Sequence, residues 1–327
     1  MKNKLFIILI FFIILINLNY QVDAQDNVRL MLDWVPNTNH TGIFVALDKG
    51  WFEKEGIKLK IIQPGGNMSV EQVVGANKAD FGISFQEWVT NARVNGVPIV
   101  SLAAVIQHNT SGIAALAEKD LNNPRDYTGN SYGGWGLSIE KEILKSIVNG
   151  NGGNYEEIKF VNIGKGDLLS MLASDKFDLA WIFYAWDGIQ AEMRGLDLNI
   201  SFFKDYQHLV PDYYTPVIIS SEKFIENNTD IVSRFMKAVS RGYNFAIHNP
   251  EESAEILLKY TPESDPELIK KSQVWLSSRY QDDAPYWGRQ EYEVWDVFGD
   301  WMYQRGLINN EFKASSAFNN NFLPGNN

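Results

Sequence analysis

The chain contains no cysteine among its 327 residues. It therefore has no disulfide framework, no thiolate chemistry and no thiol for lipid attachment. Histidine is scarce as well: the four histidines, His40, His108, His208 and His248, are scattered and do not have the spacing of metal ligands. We expect neither a metal site nor a cofactor.

Clusters of lysine and arginine are also missing, and the formal net charge is −11. Nucleic acids and anionic membrane surfaces attract basic patches, so this charge argues against both as partners. The sequence has no Walker or dinucleotide fingerprint. Ser138-Ile139-Glu140 is not a nucleophile elbow, so no hydrolase triad is predicted.

The first residues have the pattern of a secretory leader. Lys2 and Lys4 precede the apolar run 5–16, and Val22-Asp23-Ala24 supplies a small-residue cleavage site. We predict a signal peptide over 1–24 and a periplasmic protein. A retained membrane anchor is the alternative, although the run is shorter than the roughly 18 residues of a spanning helix.

The rest of the chain alternates short apolar strands with helical segments, which predicts an α/β fold. Two such sets suggest two lobes. Lobe 1 would be discontinuous, over 25–110 and 215–327, and lobe 2 would span 111–214, with crossings near His108–Gly112 and Asp212–Pro216. A cleft between lobes is a favoured place for a small ligand.

Three loops at strand ends combine aromatic and hydrogen-bonding side chains. They are Asp33–Thr41, Ser84–Trp88 and Tyr184–Gly188. A planar heterocycle needs flat apolar faces and a few fixed polar groups at its edge. Together, the three loops predict one ligand site.

Each residue of these loops also has a simpler structural interpretation. Trp34 and Tyr184 could cap the sheets, and His40 could be a hydrogen-bonded loop residue. Asp187 could be a helix N-cap, and Glu87 a first-turn carboxylate favoured by the helix dipole.

Two further stretches carry aromatic residues. Gly133-Gly134-Trp135-Gly136 precedes a predicted helix that Ser138 would cap. Its amides could hold an anionic or carbonyl group, or the stretch could be a tight turn that places Trp135 at the cleft. Near the end of the chain, the spacing predicts one buried helix face formed by Trp287, Tyr292, Trp295, Phe298 and Trp301.

Several motifs resemble the family of periplasmic binding proteins that deliver pyrimidine precursors of thiamine to ABC transporters, which is related to the fungal thiamine-pyrimidine synthase. Among the motifs are Asp33-Trp34-Val35-Pro36, Lys49-Gly50-Trp51-Phe52, Gln86-Glu87 and Tyr184-Ala185-Trp186-Asp187-Gly188. The resemblance covers nearly the whole chain after the leader. It implies a two-lobed type II periplasmic binding fold that closes on its ligand.

By this resemblance, Trp34 and Tyr184 would stack on the pyrimidine, and Asp187 would bind the ring amine. The fungal enzyme consumes an active-site histidine and carries a cysteine-rich iron site. Trp88 stands at the position matching that histidine, and 211–216 at the iron site contains no cysteine. Synthase activity is therefore not expected.

We predict the solute-binding component of an ABC importer, specific for a thiamine pyrimidine precursor of the formylaminopyrimidine type. A monomer would bind the pyrimidine and dock on an inner-membrane permease, without any catalytic residue. The alternatives are another heterocycle, such as a riboflavin precursor, or a pyrimidine-synthase-type enzyme. The candidate ligand-binding residues are Trp34, Asn39, His40, Gln86, Glu87, Trp135, Tyr184, Asp187 and Tyr214.

Overall fold

The computed structural model describes residues 25–65, 68–164 and 166–325, so the predicted leader lies outside the described residues. Two five-stranded mixed sheets form the framework, each covered by helices. Within the described ranges, no helix is long and apolar enough to cross a membrane.

The first sheet has the strand order β2-β1-β3-β10-β4. Its strands are β1 Asp26–Met31, β2 Ile57–Ile62, β3 Phe81–Ser84, β4 Ile99–Ala104 and β10 Val217–Ser221. Because β1 runs parallel to both β2 and β3, the loops that follow β1 and β3 leave the same edge of the sheet.

The second sheet repeats this arrangement with the order β7-β6-β8-β5-β9. Its strands are β5 Ser111–Leu116, β6 Ser131–Gly134, β7 Lys159–Asn162, β8 Leu179–Phe183 and β9 Leu198–Phe202. In each sheet one antiparallel strand arrives from a crossing segment, β10 in the first and β5 in the second.

The helices Thr41–Asp48 and Trp51–Lys54 are separated at Gly50, whose φ of +64° lies in the left-handed region. One local prediction is corrected. Ser138 does not cap its helix: Leu137 is at the N-cap, and the Glu140 carboxylate accepts the Leu137 N–H at 3.2 Å.

The α-helices span Thr41–Asp48, Trp51–Lys54, Val70–Gly75, Gln86–Val94, Ser138–Gly150, Leu168–Ala173, Ile189–Met193, Glu222–Asn227, Thr229–His248, Pro250–Tyr260, Pro266–Ser277 and Tyr292–Gln304, and a π-helix spans Tyr184–Gly188.

The helices Thr41–Asp48 and Thr229–His248 cross at a pair of glycines. A Cβ added to Gly242 would lie 1.9 Å from the Gly42 carbonyl oxygen. Only hydrogen atoms at both positions allow this approach, which lets Phe81 of the first sheet and Phe235 of the long helix stack at 3.7 Å.

The helix Tyr292–Gln304 packs on both cores. Trp295 belongs to a cluster beside the first sheet, whereas Phe298 stacks on Tyr213 at 4.3 Å in the cluster of the second. Trp301 Nε1 donates to the Leu209 carbonyl at 2.9 Å. Tyr292, predicted to be buried, is 49% exposed because it lies at the start of this helix. The predicted lobe boundaries at 25–110, 111–214 and 215–327 stay a prediction.

An ion-pair cluster joins the two crossing segments. His108 Nδ1 lies 2.5 Å from Asp212, and its Nε2 lies 3.1 Å from Asp283. Asp212 also accepts the Asn109 N–H at 3.0 Å. The hydrogen bond to Asp212 raises the pKa of His108 to about 9, so this imidazole is charged at neutral pH.

Candidate functional site

A cavity of about 890 Å³ lies between the two sheets. Its walls come from the loop after β1, the start of the helix after β3, the segment after β6, and the π-helix after β8. Five of the nine residues predicted to bind ligand line it: Trp34, Asn39, Glu87, Trp135 and Asp187. Their roles in binding stay predictions.

The loop after β1 is held rigidly by internal bonds. His40 Nδ1 accepts the Asn37 N–H at 3.2 Å, and its Nε2 lies 2.7 Å from Asp33 Oδ1. This pattern assigns the imidazole proton to Nε2, facing the carboxylate. His40 is fully buried and does not line the cavity, so it positions the loop that presents Trp34 and Asn39.

Trp34 faces a second tryptophan from the other lobe. The rings of Trp34 and Trp186 meet edge to face, with centroids 6.1 Å apart and planes at 77°. Both side chains line the cavity, and Trp34 is 52% exposed. An exposed aromatic surface at a cavity is typical of sites that bind a flat ligand.

The π-helix decides which side chains of its segment reach the cavity. Trp186 and Asp187 line it, whereas Tyr184 points to a separate cavity of about 260 Å³. There the Tyr184 ring lies 4.8 Å from Trp275, and its hydroxyl donates to Glu192. Trp186 therefore faces Trp34, because the wider π-turn changes the angle between successive side chains, and the stacking role of Tyr184 stays a prediction.

Two further predicted residues are structural neighbours of the cavity. Gln86 accepts the Tyr214 N–H at 2.8 Å and donates to the Val294 carbonyl at 3.0 Å. The Tyr214 hydroxyl accepts the Glu291 N–H at 2.9 Å. Both side chains are buried and neither lines the cavity, so they position the strand ends around it.

The segment 135–137 connects β6 to the helix Ser138–Gly150, and its amides are already bonded. The Glu140 carboxylate accepts the N–H groups of Trp135 at 3.2 Å, Gly136 at 2.9 Å and Leu137 at 3.2 Å. It also accepts the Tyr132 hydroxyl at 2.8 Å. An anion therefore does not find free amides here, and the segment presents the Trp135 ring, which is 45% exposed.

Aromatic residues that the sequence reasoning missed complete the walls. Trp88 lies next to Glu87, and Trp181 on β8 has a buried indole Nε1 without a hydrogen-bond partner. Phe85, Trp88 and Trp186 belong to the loops that the sequence predicted to form the site, although they were not named as ligand-binding residues; Trp181, Phe183 and Tyr213 lie outside those loops. The missed aromatic residues that line the cavity are Phe85, Trp88, Trp181, Phe183, Trp186 and Tyr213.

Acidic groups dominate the polar part of the cavity. Its lining includes Asp33, Glu87, Glu140, Asp167 and Asp187, and among the described lining residues there is no Lys, Arg or His. Asp167 is neutralised by Arg194, with nitrogen–oxygen distances of 2.9 Å, and this pair holds its pKa far below the usual range. Among the described residues, no cation forms a comparable ion pair with Glu87 or Asp187.

The Asp187 carboxylate accepts the Phe183 N–H at 2.9 Å. It is therefore not the N-cap that the alternative interpretation suggested. Burial raises the pKa of Asp187 to about 6, opposed by that N–H. The group is mostly ionised at neutral pH and accepts hydrogen bonds there. Throughout the described ranges, no group of three or more His, Cys, Asp or Glu residues is arranged to hold a metal ion.

Comparisons with known proteins agree with the sequence resemblance. The formylaminopyrimidine-binding protein of Halalkalibacterium halodurans is 28% identical, covering 90% of each chain. The 4-amino-5-hydroxymethyl-2-methylpyrimidine phosphate synthase of Legionella pneumophila is 25% identical, covering 92% of this chain and 93% of the relative.

A solved structure shows the same fold. The periplasmic aliphatic sulphonate binding protein SsuA from Escherichia coli superposes with a TM-score of 0.68 at 14% identity, over 89% of this chain and 91% of that one. The predicted two-lobed α/β binding-protein fold is confirmed. Residues 37–253 match the model of the family described as NMT1/THI5 like. The family predicted from the motifs is also confirmed, and the chain belongs to the NMT1/THI5-like family.

Proposed function

We propose that this protein is the solute-binding component of an ABC importer and captures a thiamine pyrimidine precursor of the formylaminopyrimidine type. The observation that carries the proposal is the cavity lining, which combines tryptophan faces with carboxyl groups and contains no basic residue among its described members. An aminopyrimidine offers a flat ring and several N–H donors, which suit such walls. The relative named as a formylaminopyrimidine-binding protein supports this ligand class.

The same lining argues against anionic ligands. A sulfonate, nitrate or phosphate needs basic side chains or free amides, whereas the amides at the start of the helix Ser138–Gly150 are occupied by Glu140. The described lining therefore supports a ligand with N–H donors over the sulfonate class, even though the fold is shared with a sulfonate-binding protein.

A binding role is favoured over the synthase alternative by residues at the site. Trp88 lies where the fungal enzyme carries the histidine that it consumes, and the chain contains no cysteine for the iron site of that enzyme. We therefore place the protein outside the cytoplasmic membrane, as a monomer that closes on its ligand, docks on the permease and breaks no bond.

Native mass spectrometry of the purified protein and calorimetry with formylaminopyrimidine test the proposal. We expect saturable binding of one pyrimidine and no binding of the sulfonate buffer MOPS. Preferential binding of riboflavin would assign the protein to a flavin ligand class in place of the pyrimidine precursors. Stoichiometric iron together with product formation would overturn the transport role.

A further inference from the structure

The Glu87 side chain has a buried carboxyl oxygen without a hydrogen-bond partner. It lies in the first turn of the helix Gln86–Val94 and lines the cavity beside Trp88. The buried oxygen without a partner is Oε2. A buried polar atom without a partner loses free energy in the ligand-free protein, so it indicates a group that awaits one.

In the described part of the chain, no cation forms an ion pair with Glu87. The charged or titratable groups that act on Glu87 are the Glu71 carboxylate, from the preceding helix, and Tyr213, on the return crossing. Tyr213 is fully buried and its pKa lies well above the ordinary value, so it does not ionise beside Glu87. Burial raises the pKa of Glu87 to about 8, opposed by the N–H of its own backbone and assisted by Glu71.

The carboxyl group of Asp187 provides the contrast. It accepts a backbone N–H and carries its negative charge at neutral pH, as described above. Glu87 comes from the first lobe and Asp187 from the second, so these two carboxyl groups of the cavity differ in protonation state at neutral pH. A neutral acid can donate a hydrogen bond, whereas a carboxylate can only accept one.

We propose that Glu87 meets the ligand as a neutral carboxylic acid, with Oε2 donating its proton to an unprotonated ring nitrogen. The inference rests on the proposed function, because it assigns one contact of the aminopyrimidine. The carbonyl oxygen of the same group accepts a hydrogen bond from the adjacent exocyclic amine, so the acid recognises the ring nitrogen and the amine of the ligand together. The site then selects heterocycles that carry an amino group next to a ring nitrogen acceptor.

Calorimetry between pH 7.5 and pH 9 tests this assignment, with 4-amino-5-hydroxymethyl-2-methylpyrimidine and formylaminopyrimidine as probes. Both pyrimidine rings are neutral throughout this range. We expect the affinity of the wild-type protein to fall about tenfold as Glu87 ionises. In E87Q, where the amide donates at both pH values, the ratio of the two affinities should be close to one. E87A should bind more weakly than E87Q at pH 7.5.

His108 also titrates in this range, and it is present in E87Q as well as in the wild-type protein. A decline that persists in E87Q would therefore come from another group and would overturn the assignment. A wild-type affinity that is flat to pH 9 would overturn it too. In either case the proposed function would stand, whereas absence of pyrimidine binding at every pH would overturn both.

A second arm addresses the ring nitrogen itself. The carbocyclic analogue, in which C–H groups replace the ring nitrogens, leaves Oε2 without an acceptor. Sites built to hydrogen-bond a ligand reject analogues that lack the partner group, so we expect an affinity loss of at least about a hundredfold. Equal affinities for the two rings would exclude a donor role for Glu87.

Discussion

The buried acid in the cavity predicts an unusual dependence of stability on pH. Glu87 has a pKa of about 8 in the folded protein, compared with 4.5 as its ordinary value. Folding therefore favours the protonated form. Its contribution to the free energy of unfolding is fully present below pH 4.5 and is lost as the pH rises toward 8.

The magnitude follows from the size of this shift. Each pH unit between the two pKa values lowers the free energy of unfolding by about 1.4 kcal/mol, because only the unfolded chain releases the proton. By pH 7 the wild-type protein has lost about 3 kcal/mol through this one group. E87Q removes the titration and keeps the shape of the neutral side chain, so it should be more stable than the wild-type protein at pH 7.

Urea unfolding followed by tryptophan fluorescence measures this difference at pH 5 and pH 7.5. The two proteins should differ by less than about 1 kcal/mol at pH 5, with E87Q ahead by about 4 kcal/mol at pH 7.5. E226Q is the matched control, since Glu226 is exposed on the helix Glu222–Asn227, and it should follow the wild-type profile. Parallel profiles for E87Q and the wild-type protein would show that Glu87 is ionised in the fold.

The remaining predictions address the cavity, the crossings and the packing. Trp34→Ala and Asp187→Asn should each weaken pyrimidine binding about tenfold in calorimetry, with unchanged unfolding curves. Wild-type affinity should also fall below pH 6 as Asp187 gains a proton, and Asp187→Asn should abolish that fall. His108→Asn should be less stable than wild type at pH 6, with the gap closing as the pH rises through 9, because the raised pKa contributes stability only while the imidazole is charged. Gly242→Ala should lower the free energy of unfolding by about 3 kcal/mol, since its Cβ would overlap the Gly42 carbonyl; a neutral effect would mean that the helices separate easily. Trp275→Ala should weaken pyrimidine binding about fivefold, although Trp275 does not line the 890 Å³ cavity. The substitution removes the contact between the Trp275 and Tyr184 rings, which we expect to stabilise the closed form, so small-angle scattering should show a more open protein.

The sequence predicted the framework more completely than the site. Strand and helix periodicity identified most elements, and the loops Asp33–Thr41 and Ser84–Trp88 were predicted to form one ligand site. In the structure both leave the edge at which the parallel strands β1 and β3 end. Strands β5 and β9 were missed. β5 is short and rich in small residues, and its first two residues belong to a polar stretch that was interpreted as a crossing loop.

Within the site, sequence spacing could not determine which side of a segment faces the cavity. Tyr184 and Trp186 are two positions apart, and only the π-helical turn sends the tryptophan inward and the tyrosine outward. His40 was a reasonable ligand candidate by residue type. Its bonds to Asp33 and Asn37 depend on loop geometry that no local pattern reveals. Burial of Glu87 depends likewise on packing between distant segments.

The helix Tyr292–Gln304 bears on how freely the lobes can move. Two crossing segments alone would allow one lobe both to bend toward the other and to twist against it. The helix adds a third attachment, through Trp295 on one core and Phe298 on the other. A third contact between the two cores restrains the motions that two crossing segments alone would allow. We therefore expect the chain after residue 291 to influence how the lobes close, although it contributes no wall of the cavity among the described residues.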